Sequence, residues 1–229
     1  MKKIYSALIS VSDKSNLKDL LNILKKNNVK LISSGGTHKA IRKLNFKCTE
    51  ISDFTNFSEI LNGRVKTLHP KIYAGILNKR NNKSHKKQMK LKKYENIDLV
   101  IVNFYPFEKN LEKTKDQKKI IEKIDIGGPT LVRAAAKNYS DVAVITSIEQ
   151  YNMLIKELQN FKGSTSIEFR QKLSEEAFAE TAYYDSIITN YFRGITNNNF
   201  PKKRLVYGNL IEKLRYGENP HQEAAIYSY

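Results

Sequence analysis

Short β-branched apolar runs alternate with amphipathic helical stretches over the first two thirds of the chain, and this alternation restricts the fold more than any other feature. Ile4–Ser10, Val29–Ser33, Leu99–Asn103 and Val142–Thr146 read as buried strands. Between the first two, Lys14–Lys26 carries Leu17, Leu20, Leu21 and Leu24 on one face, a helix capped by Ser12 or Asp13. Thr37–Leu44 and Pro129–Asn138 read as further helices, the latter with Pro129 favourable at its first position. Strands and helices joined this closely imply an α/β fold, a mostly parallel sheet with helices on both faces. From about Ser147 the strand signal fades. Ile148–Leu158 and Ile167–Arg193 read as helices, the longer with Leu173, Ala177 and Phe178 on its apolar side, and Asn197–Lys203 reads as a linker. The expected organisation is a sheet domain over 1–146, a helical extension over 147–196, and a linker with the opening of a further domain over 197–229.

Composition narrows the function classes. Of the 229 residues, 40% are hydrophobic and 28% charged, as in an ordinary globular protein with a real core. No apolar run approaches the roughly 18 residues needed to span a bilayer. The start has the positive end of a signal peptide, but its apolar part is short, alternating and followed at once by polar Ser12-Asp13-Lys14. The single cysteine, Cys48, rules out an internal disulfide and fits a reducing compartment, so a cytoplasmic location is expected. His38, His69, His85 and His221 fall in no metal-ligand spacing, and no metal site is expected. The net charge of +17 raises a nucleic-acid reading. The densest basic block, Lys79–Lys87, offers no aromatic residue to stack a base and reads as a solvated face. No nucleic-acid partner and no membrane partner are expected; the basicity serves instead to attract a small phosphorylated substrate.

The polar motifs fall where strands end, and ligands of open parallel sheets bind there. Ser10–Lys14 follows the first strand. Ser33-Ser34-Gly35-Gly36-Thr37 follows the second and opens a helix, where converging backbone N–H groups and the Ser34 and Thr37 hydroxyls would cradle a phosphate. Gly63–Lys71 places three cations, a hydroxyl and an imidazole in nine consecutive positions that open on a glycine and carry a proline before the last, a loop shaped to hold an anion. Asn103 and Tyr105 stand at the third strand's tip. Ile124–Pro129 leads into a helix whose Arg133 and Lys137 share a face; its glycines free the Ile126 and Gly127 amides for a developing negative charge, and Asp125 reads as either a functional carboxylate or a plain cap.

Taken together and in this order, Ser10–Lys14, Ser34–Thr37, Gly63–Lys71, Asn103–Phe107, Asp125–Pro129 and Arg133–Asn138 resemble the amino-terminal part of the bifunctional purine biosynthesis family, which joins phosphoribosylaminoimidazolecarboxamide formyltransferase to inosine monophosphate (IMP) cyclohydrolase. The resemblance runs over essentially the whole chain. It implies a methylglyoxal-synthase-like fold, a homodimer, and closure of 5-formamidoimidazole-4-carboxamide ribonucleotide to IMP. Leu214–Gln222 looks like the first segment of the formyltransferase domain, where Arg215 and Tyr216 would contact that domain's substrate. Nearly all of that domain, and with it the use of formyl-tetrahydrofolate, is expected to be absent here.

By the same resemblance, Lys66, Tyr105, Asp125 and Lys137 are the catalytic set, and the cyclohydrolase needs no cofactor. Ser12, Lys14, Ser34, Gly35, Gly36 and Thr37 would hold the 5′-phosphate, with Arg64 and Thr67 completing the nucleotide contacts. Asp13, Val65, Asn103, Phe104, Ile126 and Gly127 are further substrate-binding positions. Lys137 is the first choice for proton transfer, with Tyr105 as relay, and the division of base and acid between the two lysines stays open. His69 reads as a loop brace rather than the base. Two rivals share the fold: a methylglyoxal synthase with a carboxylate base, and a non-catalytic phosphate-binding regulatory domain as in carbamoyl phosphate synthetase. The cationic loop and the Asp125–Pro129 block argue against the first, and Lys66, Tyr105 and Lys137 together have no use in the second.

Overall fold

The computed structural model describes every residue except Asn197, Pro220 and Tyr229. The start of the expected linker and one position of the terminal Leu214–Gln222 block therefore lie outside the described residues. The chain runs β1 (Lys2–Lys3), β2 (Ser6–Val11), α1 (Leu17–Lys26), β3 (Lys30–Ser33), α2 (Gly35–Lys43), β4 (Thr49–Glu50) and α3 (Ile51–Thr55). It continues with α4 (Pro70–Leu77), α5 (Lys83–Lys92), β5 (Leu99–Asn103), α6 (Phe107–Lys113), α7 (Gln117–Ile121) and α8 (Gly127–Lys137). The last elements are β6 (Ala143–Ile145), α9 (Tyr151–Asn160), β7 (Ser164–Thr165), α10 (Ile167–Thr196), β8 (Asn209–Leu214) and β9 (Ala224–Ser228).

Five strands form one sheet in the order β4-β3-β2-β5-β6, every pairing parallel. Ala7, Leu8 and Ile9 of β2 and Leu99 and Val100 of β5 are fully buried, which is why these strands read as continuous apolar runs rather than alternating ones. The chain passes from β2 outward to β3 and β4, then back across to β5 and β6, and such parallel crossovers follow a right-handed rule. That rule puts α1 and α2 on one face and α8 on the other. Accordingly α9 packs against α1, and α4 packs against α8. The order reverses between β2 and β5, and the register of Val11 opposite Asn103 brings their carboxyl ends level. A crevice for a ligand opens at such a reversal.

Several boundaries differ from the sequence expectation. Helix α1 begins at Leu17, not Lys14, because Asp13 turns the chain by accepting the Ser15 N–H at 2.9 Å and Asn16 follows in the left-handed region (φ 55) with no side-chain cap. Helix α8 begins at Gly127, so Pro129 is its third residue rather than its first. Strands do occur after Ser147. β7 pairs antiparallel with β1, and β8 with β9, the latter through an irregularity between Leu210 and Glu212 that breaks the period-two pattern.

By internal contacts the chain divides into two units, Met1–Thr181 and Ala182–Tyr229, a division that falls inside α10. The stretch after β6 is bound into the first unit by Arg170. Its buried guanidinium donates to the carbonyls of Thr165 (2.6 Å), Tyr139 (2.7 Å) and Ser140 (3.1 Å). In the second unit, the Tyr183 and Tyr207 rings meet edge to face at 5.3 Å, and Asn209 donates to the Tyr183 hydroxyl at 3.1 Å. No helix among the described residues is long and apolar enough to cross a membrane.

Candidate active site

The crevice is built from the tips of β2, β3 and β5. Asn103, the last residue of β5, accepts the N–H groups of Ser12 (2.6 Å) and Asp13 (3.0 Å) and donates to the Asp13 carbonyl (3.0 Å). Its side-chain amide is thus spent on bracing the Ser12–Lys14 turn rather than presented to a ligand. Thr37 is similarly committed: its buried hydroxyl donates to the Val11 carbonyl (2.9 Å) and accepts the Val11 N–H (3.0 Å). What Thr37 brings to the expected phosphate cradle is backbone, not hydroxyl. Lys14 folds its ammonium onto the Ser12 carbonyl at 3.0 Å and stays exposed.

Ser34 is the N-cap residue of α2, and Gly35 opens the helix with φ +54, a conformation that favours glycine. Gly36 has ordinary backbone geometry, and open space lies where its side chain would be. The first amide of the helix is already taken, since Gly35 donates to Glu50 Oε1 at 3.3 Å, while Glu50 Oε2 sits 2.7 Å from His38 Nδ1. Neither Glu50 nor His38 stood out in the sequence. They are twelve residues apart and share no motif; only the pairing of β3 with β4 brings them together.

The cationic loop closes on itself through a bridge between Ile60 and Val65, with Leu61, Asn62 and Gly63 all at positive φ. Arg64 points outward and pairs with Glu122 at 2.6 Å. His69 caps α4, its Nδ1 accepting the Lys71 N–H at 3.1 Å, and its ring lies against Phe57. Thr67 is buried against the start of α8, where a side chain on Gly127 would meet its Oγ1 at 2.6 Å. Lys66 turns inward instead: a Cβ on Gly35 would lie 3.6 Å from its ammonium, and Lys66 is also the cation that acts on Asp125.

Asp125 forms the second half of the site. Its carboxylate accepts the Gly128 N–H at 2.8 Å and further N–H groups from Tyr105 and Gly127. Burial pushes its pKa above the ordinary carboxylate value, and these donors together with Lys66 pull the other way without overcoming it. The Gly127 amide is therefore directed at Asp125 rather than left free for a developing charge. Phe104 packs against the core, whereas the rings and chains of Tyr105 and Ile126 are largely exposed at the crevice.

One expected member is missing from this cluster. Lys137 ends α8, and ten residues of helix rise place it about 15 Å along the axis from Gly127. There it lines a cleft of about 500 Å³ with Tyr73, Thr130, Arg133 and Phe178, of which Tyr73 lies within reach of the Asp125 charge. Arg133 stacks over the Phe178 ring at 5.4 Å, and burial pushes the Tyr73 phenol up to about 12, the Thr130 hydroxyl opposing it and the Asp125 charge adding to it. Within one chain Lys137 does not join Lys66 and Asp125. Arg215 and Tyr216 belong to the other unit, exposed at the turn between β8 and β9, where Gly217 donates to the Gln222 carbonyl at 2.8 Å. Among the described residues no group of His, Cys, Asp and Glu is gathered to hold a metal ion.

Residues 16–130 match the family model of the MGS-like domain, and residues 135–229 match that of the AICARFT/IMPCHase bienzyme. The chain is 45% identical over 227 residues to the bifunctional purine biosynthesis protein PurH of Bradyrhizobium diazoefficiens, covering 99% of this chain and 43% of that protein. PurH of Agrobacterium fabrum is 46% identical over 98% of this chain and 42% of its own, and PurH of Persephonella marina 47% over 96% and 43%. The chain thus spans less than half the length of the curated relatives it matches. Among solved structures, one titled "Crystal structure of ForH" superposes with a TM-score of 0.73 at 30% identity, covering 82% of this chain and 99% of that one. On these matches the chain belongs to the bifunctional purine biosynthesis family and corresponds to its amino-terminal, MGS-like part.

Proposed function

We propose that this chain is an IMP cyclohydrolase of purine biosynthesis, closing the ring of 5-formamidoimidazole-4-carboxamide ribonucleotide with loss of water. The observation that carries the proposal is the position of Lys66, set between the helix start at Gly35 and the buried carboxylate of Asp125. A phosphate at α2 and a heterocycle at α8 would lie on either side of it. The carboxamide nitrogen and the formyl carbon belong to one molecule, so holding the reactive rotamer is a large share of the work. Attack forms the bond between the carboxamide nitrogen and the formyl carbon; the carboxamide nitrogen gives up one proton and the formamido nitrogen its own as the ring C=N bond forms, and the formyl oxygen, taking up both, leaves as water. Asp125 would orient the carboxamide, and Lys66 with Tyr105 would supply charge and protons at the formyl oxygen. These are proton transfers between substrate and protein groups, and the proposal includes no cofactor or metal.

Lys137 fits this scheme only from a second copy, because its own α8 holds it about 15 Å from the Asp125 end. The proposal therefore includes a homodimer, and a cytoplasmic setting consistent with the lone buried Cys48 thiol. Formyl transfer is not part of it, Arg215 and Tyr216 being at most the opening contacts of a further domain. The test supplies the chain with the formamido ribonucleotide, a chelator and no folate, and IMP is expected by chromatography. With the amino ribonucleotide and formyl-tetrahydrofolate no IMP is expected. No closure by a well-folded sample would leave a phosphate-binding domain without catalysis; chelator-sensitive closure would reveal a metal, and IMP from the second mixture would return formyl transfer to this chain.

A further inference from the structure

We propose that His38 and Glu50 are a positioning pair beneath the phosphate cradle, in which His38 neutralises a carboxylate that would otherwise repel the substrate's phosphate. The inference rests on the reading of the α2 start as the phosphate site. Glu50 ends β4 opposite Ser33, and this register delivers its carboxylate to the first amide of α2, Gly35, at 3.3 Å. A carboxylate is favoured there by the unpaired amides and the dipole of the helix. It also ties the Gly35 amide while that residue holds its left-handed conformation, and open space lies beside the next residue, Gly36.

The difficulty with this brace is its charge. A phosphate bound at the Gly36 amide would share the helix start with a carboxylate one residue away, and like charges so close oppose each other strongly. His38, on the same helix turn, answers that charge. Its Nδ1 lies 2.7 Å from Glu50 Oε2 and its Nε2 lies 3.3 Å from the Cys48 carbonyl. Both ring nitrogens face acceptors, a geometry in which an imidazolium would donate to both. The neighbouring Cys48 adds no charge of its own, since burial, with Glu50 contributing, pushes its thiol up to about 12.

The test is a double-mutant cycle read as KM against kcat for the formamido ribonucleotide, with ribose 5-phosphate affinity measured by calorimetry alongside. His38→Ala should raise KM and weaken ribose 5-phosphate binding about tenfold, with kcat changed less than about twofold. Glu50→Gln keeps an acceptor for Gly35 but removes the charge, and should leave both quantities at or better than wild type. The double variant His38→Ala/Glu50→Gln should recover the wild-type values, a rescue that loss of packing would not produce. The calorimetric arm keeps the pair testable even if the chain shows no cyclohydrolase activity. Failure of His38→Ala to weaken binding, an equal loss in Glu50→Gln, or a double variant as weak as His38→Ala would each overturn the proposal.

Discussion

Gly128 donates its backbone N–H to Asp125 Oδ1 at 2.8 Å, and this contact sets where α8 begins and fixes the carboxylate that faces Lys66. The same residue is therefore a helix brace and a candidate catalytic group, and the two roles separate on substitution. Asp125→Asn keeps an acceptor for the helix start and removes the charge. Because burial raises the folded-state pKa, ionising Asp125 costs stability as pH rises above its ordinary 3.8. At neutral pH the variant should melt at or above the wild-type temperature, while kcat falls about 100-fold or more. The wild-type kcat should fall as pH drops through this raised pKa, an acid limb that the variant lacks. A variant with near-normal turnover would reduce Asp125 to a cap.

Adjacent glycines at the start of α2 should respond differently. A side chain on Gly36 enters open space at the helix start at ordinary φ, so Gly36→Val should fold normally. Its affinity for IMP should drop about tenfold or more, and that for the unphosphorylated nucleoside should change little. Gly35→Ala instead meets a φ of +54 and should lose stability by about 1 kcal/mol. Calorimetry on Gly36→Val with unchanged IMP affinity would move the phosphate elsewhere.

The sheet was legible in the residues because its central strands are buried on both faces: the apolar run Leu99–Asn103 coincides with β5. Helix α5 was not, since none of its residues is buried and it has no apolar period to read. At the site, residue types such as Thr37 and Asn103 advertise hydrogen bonding but not its target. Their commitments to Val11 and to Ser12 and Asp13 arise from strands brought side by side, which no local pattern encodes. Glu50 and His38 were silent for the same reason. The separation of Lys137 from Asp125 was different, because twelve positions spanning one continuous helix already placed them too far apart to touch.

Beneath the sheet, Asp141 holds Lys2 at 2.5 Å and accepts the Arg80 N–H at 3.0 Å. Burial acts to raise its pKa, but Lys2 and Arg80 outweigh it and hold the carboxyl below its ordinary 3.8. A depressed folded-state pKa contributes stability that is present above 3.8 and lost as pH falls through the lower, folded value. Asp141→Asn should therefore cost about 2 kcal/mol near pH 7 by denaturant unfolding. The gap between variant and wild type should close as pH is taken below 3.8; a gap that stayed constant would mean the loss is one of packing rather than charge.

Lys137 gives the most discriminating test of the shared site. Lys137→Ala alone should abolish most closure activity, as Asp125→Asn does, and neither result says which chain supplies the lysine. Mixing the two variants does. If Lys137 acts on the partner's Asp125, a mixed dimer has one site with an intact carboxylate facing an intact lysine, and another with neither. Random reassociation makes half of the dimers mixed, so about a quarter of the wild-type sites should work again. The mixture is dissociated with mild denaturant, refolded together and assayed for IMP, with each variant refolded alone as control. Activity well above both controls places Lys137 across the interface. Activity equal to the controls confines the lysine to its own chain, where the length of α8 keeps it from the Asp125 end, and would remove it from the mechanism.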